Sequence, residues 1–402
     1  MTDTLHRPSI LTISDEWAPT RGGVSQFNRR FAIALAEQGY PTACLVQDAT
    51  PIEREDARAH HVTLFTAVRI PSGPDLSVRV QDVVDWRPDI IIGHDVVSGK
   101  IAWIHAHCYV PTAALGYVAH TAPSQNEPYK HVDAAARVSD REREMREIAA
   151  DATIVAAVGP LLTRRTKAVV GDLPPGVLRL DPGLDVLAGD ARRSPPANPI
   201  VLMLSRTTHI EPKGIDIAAS AIAGLRVAHG RPLPELRIRG AHGERCDSLR
   251  GQLVQRFGVA RDRLDVRAYS ADPAEIANDL RQAALYVMPS RVEGFGLAGL
   301  EAIGLGTPVL ISDRSGLAEL VVHHLGRLAE PMIVRVCDDL ERDTANWRAA
   351  IERTMDNLDA AFDYAHDVRT RLAGVLRWDL AVHTLMSGFA ARRPDHPAGV
   401  LG

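Results

Sequence analysis

The sequence predicts an α/β protein with two domains, each built on a parallel sheet that helices cover. Short β-branched apolar runs alternate with longer amphipathic stretches, which is typical of strands joined by crossover helices. A length of 402 residues exceeds what one ordinary hydrophobic core accommodates. The proline-rich sequence ARRSPPANP, within residues 190–199, interrupts the alternation and predicts a linker between the two halves.

The first half begins with a strand predicted at residues 9–13. A loop over residues 14–23 follows, and apolar residues at helical spacing from position 24 to 35 predict a helix. Gly39 suits the C-terminal end of this helix, because glycine commonly follows the last helical turn. Further strands are predicted at residues 41–46, 90–92, 113–119 and 153–158.

The second half repeats the alternation after the linker. A helix is predicted over residues 214–225, and strands at residues 200–204, 235–238, 285–288 and 308–311. The chain after Arg392 predicts a loose tail. The predicted domains are therefore residues 1–185 and 186–375, followed by a final segment, residues 376–402, with one helix and the tail.

Composition excludes several classes of protein. With 46% hydrophobic and 24% charged residues the chain resembles soluble globular proteins, and its net charge of −4 disfavours an electrostatic nucleic-acid binder. Its four cysteines lack C-x-x-C spacing, which favours reduced thiols in a cytoplasmic protein over disulfides or a zinc cluster. We find neither a signal-peptide pattern nor about 18 consecutive apolar residues, so no membrane span is predicted. Peripheral contact with a membrane stays open.

Four histidines lie close together in the sequence and raise the question of a metal site: His94, His105, His107 and His120. Metal ligation requires the side chains to converge on one point, and the strands and turns predicted here do not ensure that. The sequence therefore predicts no metal site.

The segment of residues 286–311, YVMPSRVEGFGLAGLEAIGLGTPVLI, has the composition of a ligand site. A strand ends at Met288, a loop with Gly294 and Gly296 follows, and a helix begins near Gly296 or Leu297. Glycines let the backbone approach a ligand, and the N–H groups at a helix start suit a diphosphate. Glu293 and Glu301 are eight positions apart and can face one cleft, where carboxylates accept hydrogen bonds from sugar hydroxyls. On these residues alone, a structural turn with two solvated glutamates also fits.

The same segment resembles the retaining family 4 glycosyltransferases. Their pattern is P-S-x-x-E-G-F-G-L-x-x-L-E-A-x-x-x-G-x-P-V, and this chain supplies Pro289, Ser290, Glu293, Gly294, Phe295, Gly296, Leu297, Leu300, Glu301, Ala302, Gly306, Pro308 and Val309. The resemblance implies the GT-B fold, with two Rossmann-like domains facing each other across a donor-binding cleft. It also implies that Glu301 holds a ribose and that Glu293 faces a donor hexose. The amides of Gly294, Phe295, Gly296 and Leu297 would contact a diphosphate.

The resemblance extends to basic residues after the first strand of the second half. In LSRTTHIEPKGID, Arg206 and Lys213 match an Arg and a Lys that neutralise the donor diphosphate, and Asp216 follows shortly after. Two departures are visible. Ser205 stands where the family usually has Gly, and the Arg-to-Lys spacing is longer than the commonest one.

Matches in the first half are individually weaker. Gly22 and Gly23 match a Gly-Gly turn that approaches the donor phosphate and the acceptor. His120, after the strand at residues 113–119, matches a His that contacts the donor sugar, and Asp95 belongs to a His-Asp pair found at a similar strand end. Other matches keep the family order: Gly183, Leu184 and Asp185 at a hinge, Ser315, Gly316 and Glu319 in a loop at the nucleotide site, and Trp378 before a final helix that returns to the first domain.

The resemblance predicts transfer of a hexose-type sugar from a nucleoside-diphosphate sugar, with a UDP-sugar as the default, to an unidentified acceptor hydroxyl. The family reacts on the donor's front face with retention of configuration, the leaving phosphate taking the acceptor proton, and no cofactor or divalent metal is needed. Two alternatives use the same architecture: a phosphorylase or epimerase, and a catalytically silent nucleotide-sugar-binding or sensor subunit. A dinucleotide oxidoreductase is disfavoured, because no G-x-G-x-x-G follows the first strand.

Overall fold

The computed structural model describes residues 7–19, 22–129, 133–173, 176–185, 192–207, 210–227 and 232–392. The chain forms two compact units, of which the first comprises the chain up to Gly183 together with the chain from Arg377 onward. The second unit comprises Leu184–Leu376. The predicted loose tail and the first part of the predicted linker, residues 190–191, lie outside the described residues.

A seven-stranded parallel sheet forms the centre of the first unit, in the order β3-β2-β1-β6-β7-β8-β9. Its strands are β1 (Ile10–Ile13), β2 (Thr42–Val46), β3 (Val62–Thr66), β6 (Ile90–His94), β7 (Ala114–Ala119), β8 (Ile154–Val158) and β9 (Val177–Leu180). A separate antiparallel pair joins β4 (Val68–Ile70) to β5 (Gly73–Asp75). Most strand residues are buried, which explains their continuous apolar runs.

Crossover helices connect these strands, as parallel pairing requires. They are α1 (Gly23–Glu37), α2 (Pro51–Ala59), α3 (Gln81–Trp86), α4 (Asp95–Ile104), α5 (Pro123–Asn126), α6 (Ala134–Asp151) and α7 (Gly159–Val170). Helix α1 buries Phe27, Phe31 and Leu35, which recur at helical spacing. It ends before Gly39, whose φ of 79° lets the chain turn into β2, as the sequence predicts.

A six-stranded parallel sheet forms the centre of the second unit, in the order β12-β11-β10-β13-β14-β15. Its strands are β10 (Ile200–Leu204), β11 (Glu235–Ala241), β12 (Leu264–Ala268), β13 (Leu285–Met288), β14 (Val309–Ser312) and β15 (Ile333–Val334). Its helices are α8 (Ile215–Ala223), α9 (Cys246–Phe257), α10 (Pro273–Gln282), α11 (Leu297–Gly304), α12 (Gly316–Leu325), α13 (Leu340–Asp356) and α14 (Leu358–Ala373).

The last helix, α15 (Trp378–Ala390), belongs to the first unit. It buries Val382, Leu385 and Phe389, and the Trp378 ring lies 5.4 Å from the Phe27 ring. Gly116 on β7 leaves room for Phe389, because a Cβ at that glycine would lie 3.0 Å from the Phe389 ring.

The predicted fold class is confirmed, and the predicted elements differ mainly at their ends. The strands predicted at residues 200–204 and 285–288 have the observed bounds. The strand predicted at residues 235–238 continues to Ala241. The helix predicted over residues 214–225 begins at Ile215 and ends at Ala223, because Gly214 has a positive φ and Gly224 ends the helix.

In both sheets the direction of strand order reverses at one place, between β1 and β6 and between β10 and β13. Ligands of open α/β sheets bind outside the carboxyl ends of the strands at such a switch point. The loop into α1 and His94 lie at the first switch point, and the loops that follow β10 and β13 lie at the second. Among the described residues, no helix is long and apolar enough to cross a membrane.

Candidate functional site

The loop between β13 and α11 contains the predicted motif of the second unit. Its Gly296 has a φ of 106°, and a Cβ there would lie 2.7 Å from the Met288 side chain, so glycine is needed at the helix start. Helix α11 follows with Leu297 as its first residue, and no side chain in the described part of the chain caps it. The N–H groups of this helix start are therefore available to an anion.

Glu293 and Lys213 form an ion pair across the two loops. Lys213 Nζ lies 2.8 Å from Glu293 Oε2, and Ser290 Oγ donates to the same carboxylate oxygen at 3.4 Å. The two charged side chains are 34% and 19% exposed, so both remain accessible to a ligand. The sequence predicts these residues for two different roles, and the fold places their charged groups in contact.

A second ion pair, less exposed than the first, joins the same two loops. Arg291 Nη1 and Nη2 donate to the two carboxylate oxygens of Asp216, each at 2.9 Å, and the side chains are 10% and 6% exposed. Arg291 also donates from its backbone N–H to the Pro212 carbonyl at 2.9 Å. Arg291 was not predicted from the sequence, because it fills an unspecified position of the motif and carries no local signal.

Close backbone approach also joins these loops. Gly214 has a φ of 67°, and a Cβ there would lie 2.0 Å from the carbonyl oxygen of Pro289. A side chain at this position would push the Lys213 loop away from the Glu293 loop.

Helix α12 supports the Glu293 loop from its other side. Glu293 and Ser315 form a parallel β-bridge, and the Leu317 N–H donates to the Phe295 carbonyl at 2.7 Å. The Oγ of the buried Ser315 accepts from the Ala318 N–H at 3.1 Å and so caps α12. The predicted loop residues Ser315 and Gly316 thus contact the motif directly.

The two glutamates of the motif lie on consecutive elements. Glu301 lies in α11, one turn beyond its start, and Glu293 lies in the preceding loop. Burial raises the pKa of the Tyr286 phenol, and the charges of Glu293 and Glu301 raise it further. Both carboxylates therefore raise the pKa of the same buried tyrosine, which is the second residue of β13.

Arg206 follows the first strand of the second unit, on the loop that leads to Lys213. It is exposed in the loop after β10, and none of the described hydrogen bonds joins its side chain to Glu293 or Lys213. Two residues between Arg206 and Lys213, at positions 208 and 209, lie outside the described part of the chain.

In the first unit, the predicted Gly-Gly turn opens helix α1. Gly22 precedes the helix with a φ of 121°, and Gly23 is its first residue. The Gly22 carbonyl accepts the first helical hydrogen bond from Gln26 at 3.3 Å. The turn therefore requires glycine at position 22 for its backbone conformation, whatever ligand it meets.

His120 lies at the end of β7 and is held by two neighbours. Its Nε2 is 2.9 Å from His94 Nδ1, and its backbone N–H donates to Asp95 Oδ1 at 2.7 Å. Burial, and then the neighbouring His94 ring, holds the pKa of His120 well below its ordinary value. Asp95 adopts a φ of 48°, a conformation rare outside glycine, and its Oδ1 also accepts from the Thr121 N–H at 3.1 Å.

The other two neighbouring histidines have separate structural partners. His105 Nε2 contacts the Leu76 carbonyl and His107 Nδ1 contacts the Trp103 carbonyl, each at 2.9 Å. Among the described residues, no group of three or more His, Cys, Asp or Glu side chains is arranged to hold a metal ion.

Comparison with known proteins identifies the family. The sequence model described as "Family 4 Glycosyltransferase in conflict systems" matches residues 11–385, and the chain belongs to this family. A D-inositol 3-phosphate glycosyltransferase of Jonesia denitrificans is 30% identical over 263 residues, which are 60% of this chain and 60% of that protein. A glycogen synthase of Mycobacterium tuberculosis is 32% identical over 207 residues, which are 51% of this chain and 46% of that protein. The chain thus spans three fifths or less of the length of these two relatives.

Solved structures show that the fold is GT-B. The Anabaena protein HepE, crystallised with UDP and glucose, superposes with a TM-score of 0.72 at 16% identity and covers 96% of this chain and 100% of its own. Sucrose-phosphate synthase from Thermosynechococcus elongatus superposes with a TM-score of 0.67 at 18% identity, over 96% of this chain and 98% of its own.

Proposed function

We propose that this protein is a retaining glycosyltransferase that moves a hexose-type sugar from a nucleoside-diphosphate sugar to an acceptor hydroxyl. The observation that carries the proposal is the contact of Lys213 with Glu293 beside the uncapped start of α11, at the switch point of the second sheet. The family membership and the relatives named as glycosyltransferases support it. HepE was crystallised with UDP-glucose, which makes a UDP-sugar the first donor to test.

The second unit offers positive groups for a leaving diphosphate. Lys213 supplies an ammonium group and the start of α11 supplies backbone N–H groups, while Arg206 adds an exposed guanidinium on the loop that leads to Lys213. Preorganised donors of this kind stabilise charge that develops in a transition state. Because these positive groups belong to the protein itself, we propose that transfer needs no divalent metal and no cofactor.

The carboxylates have the complementary role of binding hydroxyl groups. Glu293 is partly exposed and anchored by Lys213 and Ser290, which suits it to orient the donor hexose. Glu301, one turn into α11, is proposed to hold the ribose. In the first unit, the Gly22–Gly23 turn and His120 are proposed to contact the donor phosphate and the donor sugar. No carboxylate is assigned as a nucleophile, so we propose front-face reaction with the leaving phosphate accepting the acceptor proton.

Two experiments, carried out one after the other, test this function. A thermal-shift screen against UDP-, GDP-, ADP- and TDP-sugars identifies the donor, because a ligand that binds the folded state raises apparent stability. Incubation with the labelled donor and a panel of hydroxyl acceptors, with and without EDTA, then identifies the product. We expect a new glycoside with the donor's anomeric configuration, formed equally in EDTA. A sugar phosphate or an epimerised sugar would show a phosphorylase or an epimerase, and binding without any product would show a sensor.

Substitution of the paired residues tests the site itself. Glu293→Ala and Lys213→Ala should each reduce transfer by roughly 100-fold or more, because each removes a charge from the reacting region. Circular dichroism should show that both variants remain folded. Lys100→Ala is the matched control, since Lys100 also pairs with a glutamate, Glu144, but on helices of the first unit remote in sequence from either motif. Wild-type turnover in either site variant would contradict the assignment.

A further inference from the structure

The first unit contains a row of four hydrogen-bonded side chains, of which the proposed reaction uses only His120. His94 Nδ1 lies 2.9 Å from His120 Nε2, and His94 Nε2 lies 2.9 Å from Asn28 Oδ1. Asn28 Nδ2 in turn donates to Cys44 Sγ at 3.3 Å. The four residues come from β6, the end of β7, α1 and β2, so the row exists only in the folded sheet.

His94 is placed to act on His120 rather than on a ligand. Its side chain is in the protein interior, with the residue 1% exposed. Its backbone is fixed at the end of β6, because its N–H donates to Ser98 Oγ and its carbonyl accepts from the same hydroxyl, both at 2.7 Å. Burial lowers the pKa of His94 to about 3, so the ring is neutral at ordinary pH.

The hydrogen-bond partners determine which nitrogen of each ring carries the proton. A neutral imidazole has one N–H donor and one lone pair. The amide of Asn28 turns its NH₂ group to Cys44 Sγ and its oxygen to His94, so His94 Nε2 must donate. Burial raises the pKa of the Cys44 thiol to about 11, which keeps an anionic thiolate out of this row. His94 Nδ1 is then the acceptor, and the atom that donates to it is His120 Nε2.

Two further contacts hold the His120 ring and its backbone. The Phe27 ring meets the His120 ring edge-on, with the centroids 4.8 Å apart. Asp95 Oδ1 accepts from the His120 N–H and from the Thr121 N–H. The ring is therefore restrained by α1 and β6, and the backbone by the first residue of α4.

We propose that His94, oriented by Asn28, is a positioning residue that locks His120 in the tautomer with the proton on Nε2. This tautomer leaves the Nδ1 lone pair of His120 as a hydrogen-bond acceptor for a hydroxyl group of the sugar substrate. The part about the sugar rests on the proposed function, whereas the tautomer of His120 is a property of the protein alone.

The tautomer is measured by nitrogen NMR of ring-¹⁵N-histidine-labelled protein at pH 7.5. The His120 signals are assigned by their loss in His120→Gln. We expect His120 with a protonated Nε2 and an unprotonated Nδ1 in the wild type. In His94→Phe, which removes the acceptor and keeps a ring of similar size, we expect a mixture of both tautomers. A wild-type His120 protonated on Nδ1, or an unchanged tautomer in His94→Phe, would overturn the proposal.

Steady-state kinetics test how His94 affects transfer. They use UDP-glucose and the acceptor identified from the panel of hydroxyl acceptors. His94→Phe should lower kcat by about tenfold to 100-fold, and KM for UDP-glucose should change less than threefold. The reason is that a misoriented hydrogen-bonding group lowers the rate more than it lowers ground-state affinity. His94→Asn should recover part of kcat, since its amide oxygen can replace Nδ1 as the acceptor. Equal kcat in His94→Phe and the wild type would contradict the positioning role.

A second buried histidine supplies the control for loss of stability. His105 is 0% exposed and contacts the Leu76 carbonyl, outside the row. His105→Phe should leave kcat and the tautomer of His120 unchanged. If the wild type transfers no sugar from any donor, the proposed function fails, while the NMR experiment still decides the tautomer.

Discussion

Single glycines set how closely the two loops of the second unit approach each other. Gly214 has a φ of 67°, and a Cβ at this position would lie 2.0 Å from the Pro289 carbonyl oxygen. Gly258 offers a natural comparison in the same unit. Its φ of 72° is similar, yet a Cβ there would meet nothing within 4 Å. Comparison of substitutions at Gly214 and Gly258 therefore separates the cost of backbone strain from the cost of steric collision.

Gly214→Ala should destabilise the protein more than Gly258→Ala. Left-handed backbone strain alone costs roughly 1–3 kcal/mol at either position. The collision adds roughly 1–3 kcal/mol at position 214 only. Hydrogen exchange of peptides from the second unit, followed by mass spectrometry, measures both losses. Gly214→Ala should also slow transfer by displacing Lys213 from Glu293, and equal effects of the two variants on stability and rate would contradict the collision.

At the scale of elements, the loops after β10 and β13 are fastened by a buried ion pair. Arg291 and Asp216 form two parallel hydrogen bonds at 2.9 Å, with side chains 10% and 6% exposed. Arg291 additionally donates to the Glu211 carbonyl at 2.6 Å and so contacts the loop that carries Lys213. The relative position of Lys213 and Glu293 therefore depends on a contact that neither of them makes.

A double-mutant cycle measures this contact. Arg291→Met and Asp216→Leu should each cost about 3–5 kcal/mol of unfolding free energy, because each leaves an uncompensated buried charge. The double variant should lose less than the sum, since both charges are gone. Each single variant should also weaken binding of UDP-glucose.

An exposed pair serves as the control for the cycle. Arg58 and Glu55 on α2 are each 72% exposed, and their coupling should be about 0.5 kcal/mol or less. Additive effects of the Arg291 and Asp216 substitutions, as in this exposed pair, would show that the buried pair does not fasten the loops.

At the scale of the whole molecule, the chain returns to its first unit for the last helix. Helix α15 packs against α1, β8 and β9, and Gly388 lies so close to β9 that a Cβ there would be 2.6 Å from Leu178. The first unit is thus built from two segments distant in sequence, with the whole second unit inserted between them.

This arrangement predicts that damage to α15 weakens the first unit. Leu385 is 0% exposed, and Leu385→Ala should cost about 2–5 kcal/mol by leaving a cavity. Leu380 on the same helix is 44% exposed, and Leu380→Ala should change stability by about 0.5 kcal/mol or less. Hydrogen exchange should show the loss in peptides of α1, β8 and β9. Faster exchange confined to peptides of the second unit would contradict this assignment.

Local features were readable from the sequence because their causes act within a few residues. The run at residues 200–204, the glycine at position 39 and the helix start at Leu297 follow from apolar periodicity and turn chemistry. The motif around Glu293 also places the residues of one loop beside each other without any help from the fold. These features sufficed for the fold class and the family.

The tertiary structure alone decided which of these local features meet. Lys213 and Glu293 are 80 residues apart, Arg291 and Asp216 are 75 apart, and His94 and Asn28 are 66 apart. Their contacts depend on the order of strands in the sheet, in which β1 lies beside β6 and β10 beside β13. A pattern of apolar residues shows that a strand is buried but not which strand lies next to it. The sequence by itself therefore determined the elements, the motif and the family, whereas sheet order determined the two ion pairs and the histidine row.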